Sequence, residues 1–173
     1  MTLELDREES GWLRDTRRRE IVMKEPAHFT WAKSKVGLHA IPGPKDNNEI
    51  TTWFRFTSLD KSEWHDLTPW CAVFQCAALE LNGEKGTNSA AAISFASWGH
   101  EVNWEDALPG DEVVFEWTDS DGNVTGHHVG QFVRQTDETV DILGGNQIDR
   151  PTGFHEVSIK TFGKGSVINV RRA

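Results

Sequence analysis

Two thiols are present in the chain, Cys71 and Cys76, and the first occupies a position suited to chemistry. It stands in the run Asp66-Leu67-Thr68-Pro69-Trp70-Cys71-Ala72-Val73-Phe74. Thr68 is a good N-cap, since its hydroxyl can accept from an orphan backbone N–H, and Pro69 suits the first helical position. The spacing therefore predicts a helix from Thr68-Pro69 to about Leu81, stopped by Asn82-Gly83, with Cys71 in its first turn. Free N–H groups and the helix dipole favour an anion there, so the thiol is expected to ionise more readily and the same N–H groups to hold an oxyanion. A buried structural thiol is the competing reading for Cys71, and it is the expected one for Cys76.

A thiolate nucleophile needs a base, and Gly126-His127-His128-Val129-Gly130-Gln131-Phe132 offers two imidazoles. Strand alternation sends His127 and His128 to opposite faces, so one of them at most can face Cys71. The small Gly130 shares a face with His128 and would let a helix terminus approach, which selects His128 and leaves His127 as the alternative. A metal reading of the pair is weak, because adjacent strand residues diverge and no third ligand has suitable spacing. The next strand ends Ile142-Leu143-Gly144-Gly145-Asn146-Gln147. Asn146 at its end could accept from the ring N–H, giving a Cys-His-Asn arrangement. The competing reading is that Gly-Gly-Asn forms only a turn.

These groups need a scaffold. Apolar residues recur at helical spacing over Phe29–Val36, Ile50–Phe56, 68–81 and Ser89–Trp98. After Pro109-Gly110 the period shortens, predicting strands over Asp111–Trp117, His127–Gln135, Thr139–Leu143, Glu156–Phe162 and Ser166–Arg171, with turns between them. Helices first and strands after imply an α+β domain over 26–173, its helices packed on an antiparallel sheet of about five strands. Residues 1–25 mix charges of both signs (Asp6, Arg7, Glu8, Glu9, then Arg17, Arg18, Arg19, Glu20) and read as an arm or solvated helix.

Composition narrows the function classes. The 173 residues carry a net charge of −9, which opposes binding to nucleic-acid phosphates. No stretch approaches the roughly 20 apolar residues of a membrane span, and MTLELDREES lacks the apolar core of a signal peptide. The expectation is a chain made in the cytoplasm, with no membrane insertion.

The order of helix-start Cys, strand His and polar residue on the next strand resembles the NlpC/P60 and CHAP superfamily of cysteine peptidases and amidases. It is most similar to small phage- and bacteria-borne CHAP-like cell-wall hydrolases. The fragments carrying the resemblance are Ile41-Pro42-Gly43-Pro44-Lys45-Asp46-Asn47, Thr68-Pro69-Trp70-Cys71-Ala72, Lys85-Gly86-Thr87-Asn88-Ser89-Ala90, Leu108-Pro109-Gly110-Asp111, His128-Val129-Gly130 and Leu143-Gly144-Gly145-Asn146-Gln147. The resemblance implies a papain-like NlpC/P60-type fold and hydrolysis of a peptidoglycan amide. Cys71 would be the nucleophile, His128 the base and Asn146 the orienting residue, with Trp70 and Gln147 lining the cleft. No cofactor is expected, and no metal, since Asp46-Asn47-Asn48-Glu49 is a poor calcium loop. The implied partner is peptidoglycan, reached through a holin, a phage tail or a secretion machine. An immunity, adaptor or carrier protein is a further expected partner, with residues 1–25 as its docking segment. The rival reading is an inert binding or structural module on the same fold.

Overall fold

The computed structural model describes residues 24–173, so the charged arm lies outside the described residues except for Lys24 and Glu25. Three α-helices precede the sheet among the described residues: α1 (Ala27–Lys33), α2 (Asn48–Trp53) and α3 (Cys71–Glu80). The Asn47 side chain caps α2 by accepting from the Glu49 N–H at 3.0 Å. α3 is apolar almost all round and is buried from Cys71 to Leu79, as suits a helix covered on every side. The fourth predicted helix is instead a 3₁₀ segment, Ala92–Ser97. Its buried residues, Ala92 and Phe95, are three apart, the period of that tighter helix.

Six strands form one antiparallel sheet in the order β1-β6-β2-β3-β4-β5. They are β1 (His100–Val102), β2 (Glu112–Thr118), β3 (Val124–Gln135), β4 (Thr139–Ile148), β5 (His155–Gly163) and β6 (Val167–Arg172). β1 escaped the sequence reading because three residues carry no legible alternation. The sheet is strongly curled. Phe115 on β2 and Phe162 on β5 are three strand spacings apart, about 14 Å on a flat sheet, yet their ring centroids are 5.0 Å apart. The concave face holds Val113, Phe115, Phe132, Val140, Ile142 and Val170, while α3 covers the opposite face.

A polar chain is buried between α3 and the sheet. Gln131 Nε2 donates to Gln75 Oε1 at 2.8 Å, and Gln75 Nε2 donates to the Leu143 carbonyl at 3.5 Å. Glu112, the register partner of Gln131, is fully buried, and neither its carboxyl oxygens nor Gln131 Oε1 has a hydrogen-bond partner. Burial, reinforced by Asp111 and Glu84, pushes the Glu112 carboxyl well above the usual carboxylate range. The protonated carboxyl is the form that this burial favours. Because the folded pKa is raised, this contribution is complete below the unfolded value and is lost as pH rises through the folded one. Glu112→Gln is therefore expected to stabilise the protein at neutral and alkaline pH and to change little near pH 4. Urea melts across that range check this, and a pH-independent difference would refute it.

No described helix is long and apolar enough to cross a membrane.

Candidate active site

Cys71 is the first helical residue of α3, and its N-cap is Trp70 rather than Thr68. The Thr68 hydroxyl donates to the Glu63 carbonyl at 2.9 Å, and its N–H to the His65 carbonyl at 3.0 Å. Both groups are thus consumed by the turn before the helix, and Trp70 makes no side-chain cap. Backbone groups of Cys71, Ala72 and Val129 stabilise the thiolate form of Cys71, but burial outweighs them and pushes the thiol up. This corrects the expected readier ionisation: at 6% exposure, desolvating a thiolate costs more than a helix terminus returns.

Register and packing assign the two faces. Val129 pairs with Val114, and both pack with Cys71 and Ala72 beneath α3. His127, two residues back, shares that face, and its Nε2 donates to Glu116 Oε2 at 2.9 Å. His128 belongs to the concave face. Its ring lies 5.8 Å from Phe162, 6.3 Å from Phe115 and 6.5 Å from Trp117, centroid to centroid. The expectation that His128 points toward the helix is therefore corrected. Gly130 is small for a different reason: a Cβ there would meet Ile142 Cδ1 at 2.6 Å, so it lets β4 close on β3 rather than admitting a helix.

The Cys71 sulfur lies on the α3 side of β3, near the backbone of Val129. Phe132 N–H donates to the Asp111 carbonyl at 2.6 Å and its carbonyl accepts from Gly110 N–H at 3.0 Å, so its backbone groups face β2. Alternation turns those of Val129 toward β4. The β3–β4 pairing ends at Gln131–Leu143, which leaves the Val129 N–H free for the Cys71 sulfur. Gly144 and Gly145 follow on β4, beyond the end of this pairing. A Cβ on Gly145 would strike Trp70 Cζ3 at 2.5 Å and Phe74 Cβ at 2.8 Å, on the helix side. A Cβ on Gly144 would lie 3.1 Å from His128 Nε2, on the concave side. Sulfur and imidazole thus lie on opposite faces of the sheet, and no hydrogen bond joins them. His128 Nε2 is buried without a partner. Burial, helped by the Lys160 charge, lowers the His128 pKa to about 4 against an opposing contribution from Gln147. The resting pair is therefore a neutral thiol and a neutral imidazole.

Gly144-Gly145-Asn146 forms no terminal turn. It lies inside β4 as a bulge, where Gly145 and Asn146 together oppose Val157. Asn146 takes φ 58°, a left-handed conformation that Asn tolerates well among non-glycine residues. The extra residue returns Gln147 to the concave face. There its Nε2 donates to the Gly144 carbonyl at 3.1 Å and the Ser158 carbonyl at 2.5 Å, and its buried Oε1 is left unpartnered. Gln147, rather than Asn146, is the polar side chain beside the His128 ring, since both border Gly144. Trp70 is fully buried against Trp53 and under Gly145, so it lines no cleft.

The concave face opens beside His128 into a groove of about 850 Å³, bordered by Trp117, Asn146, Gln147, Lys160 and Phe162. Trp117 and Lys160 were missed in the sequence. Their signal was positional: Trp117 follows Phe115 by two residues, and Lys160 precedes Phe162 by two, each on an alternating strand. No cluster of three or more His, Cys, Asp or Glu suited to a metal ion occurs among the described residues. Comparison with protein-family models and with curated proteins finds no match.

Proposed function

We propose that this chain is a cysteine hydrolase of a peptidoglycan amide, built on a papain-like NlpC/P60-type scaffold. The observation that carries the reading is that Cys71, at the start of α3, packs against β3, the strand that bears His128. Buried catalytic pairs often close to hydrogen-bond distance only with substrate bound, and this mechanism requires that closure.

His128 takes the thiol proton as the Cys71 sulfur attacks the amide carbonyl carbon. Backbone N–H groups at the start of α3 receive the oxyanion. The C–N bond breaks as the imidazolium returns its proton to the leaving amine, leaving a thioester on Cys71. Water, deprotonated by His128, attacks that thioester and releases the carboxylate, which restores the thiol. Both muramoyl-alanine amidases and stem-peptide endopeptidases use these steps, and mass spectrometry of released fragments separates them. Action at the wall would follow delivery by a holin, phage tail or secretion machine.

The test is digestion of purified sacculi. Wild-type protein is expected to release soluble fragments, and Cys71→Ala to release none above background. Lysis that persists in Cys71→Ala eliminates the mechanism. A second reading, an inert module on the same fold, draws on the missing Cys71–His128 hydrogen bond and the raised thiol. It is supported if wild-type protein leaves sacculi of several wall chemistries intact.

A further inference from the structure

Glu112 of β2 and Arg171 of β6 are register partners. Side chains directly opposed on neighbouring strands share a face, with Cβ atoms about 5 Å apart, and opposite charges so placed ordinarily pair. Here they do not. Both Glu112 carboxyl oxygens are buried without a hydrogen-bond partner. Arg171, its side chain 12% exposed, is turned elsewhere: Nε donates to the Trp98 carbonyl at 2.7 Å and Nη2 to the Gly99 carbonyl at 3.1 Å. Asn169, also on β6, donates to the Ala96 carbonyl at 2.8 Å. Together these bonds tie the 3₁₀ segment Ala92–Ser97 and the residues after it to the sheet. Ala92, Phe95 and Trp98 pack in one cluster with Cys71 and Cys76, so the tied segment is part of the cover over both thiols.

The other charged groups around Glu112 are already matched. Asp111 of β2 accepts from Arg172 of β6 at 2.7 Å, and Glu84, after α3, is held by His28 of α1 at 2.5 Å. β3 and α3 contribute the neutral amides of Gln131 and Gln75. The Cys76 thiol on α3 is pushed up by burial. An ionised Glu112 therefore has one cation in register with it, Arg171, and that cation must first leave two carbonyls.

We propose that Glu112 and Arg171 form a pH-operated switch: when the Glu112 proton leaves for solvent, Arg171 exchanges the Trp98 and Gly99 carbonyls for the new carboxylate, and the 3₁₀ segment loosens over Cys71 and Cys76. The guanidinium is satisfied in both arrangements, which makes the element two-state. The closed arrangement holds at low pH and gives way as rising pH ionises the folded carboxyl. The switch operates whether or not the chain cleaves peptidoglycan.

Iodoacetamide labelling of the full chain from about pH 6 to pH 9, with Cys71 and Cys76 quantified separately by mass spectrometry, tests this. Thiolate formation raises every rate with pH, so the readout is the ratio of wild type to Glu112→Gln at each pH. That ratio is expected to be near one at the acid end and to rise at least tenfold at the alkaline end. Arg171→Gln, which loses the tether, should label several-fold faster than wild type already at the acid end. Arg171→Lys, which keeps the charge but cannot grip both carbonyls, is read the same way should the glutamine variant not fold. Circular dichroism confirms that each variant folds. A flat ratio at both thiols, or an Arg171 variant that labels at the wild-type rate at the acid end, overturns the switch.

Discussion

Replacing His128 with alanine is expected to lower the rate of wall-fragment release by about 10²–10⁴-fold, the usual worth of a positioned general base. Replacing His127, one residue away, should leave most of the activity. The contrast follows from the faces of β3. His128 borders Gly144 and Gln147 on the concave face. His127 is held by Glu116 on the other face, and losing a half-exposed pair of that kind costs only about 0–1 kcal/mol. The reversed outcome, with His127→Ala dead and His128→Ala active, would transfer the base to the helix face and make Glu116 its orienting group. The pH profile is a second readout. With the His128 pKa near 4, the acid limb of kcat/KM should fall well below the 6.5 of an ordinary imidazole. Stability follows the same sign: a folded imidazole that resists protonation costs the protein stability as pH drops from about 6.5 toward 4.

Gly144 and Gly145 are expected to fail in different ways when given a side chain. Gly145→Ala drives a methyl into Trp70 and Phe74, both fully buried, with contacts of 2.5–2.8 Å that no rotamer relieves. Overpacking of this kind typically costs about 1–3 kcal/mol, and the helix that carries Cys71 must shift to relieve it. Gly144→Ala brings a methyl against His128 Nε2 at 3.1 Å and Gln147 Cδ at 3.2 Å, milder contacts with side-chain atoms that a shift of a few tenths of an ångström relieves. It should therefore leave the melting temperature nearly unchanged while reducing activity tenfold or more by displacing the ring. Thermal melts paired with sacculus digestion separate the two. Equal stability losses at both positions would mean that the two glycines serve the fold alone.

The sequence made some of this architecture legible. Strands β2 to β6 could be placed from their alternation, and α3 from an apolar run closed by Asn82-Gly83. The start of α3 misled, because a Thr-Pro pair scores as a helix entry whether or not its hydroxyl is free, and here the hydroxyl serves the Glu63 carbonyl. Parity told that His127 and His128 diverge but could not say which face carries the helix. Gly130 is needed for strand closure against Ile142, so its small size supported the wrong inference about His128. Gly-Gly-Asn carries turn chemistry, yet each glycine answers a neighbour on one face of β4 and the Asn provides the left-handed bulge. The role of Gln147 depends on that single extra residue, which no periodicity in the sequence announces.

The position of β6 has a consequence for synthesis. It is the last of the described strands to leave the ribosome, yet it sits between β1 and β2. Until it emerges, β2 presents an uncovered row of amide and carbonyl groups along one margin, and β1 has no neighbour at all. A nascent chain stalled before Val167 should therefore cross-pair with its fellows, and slowing translation there is expected to raise the insoluble fraction.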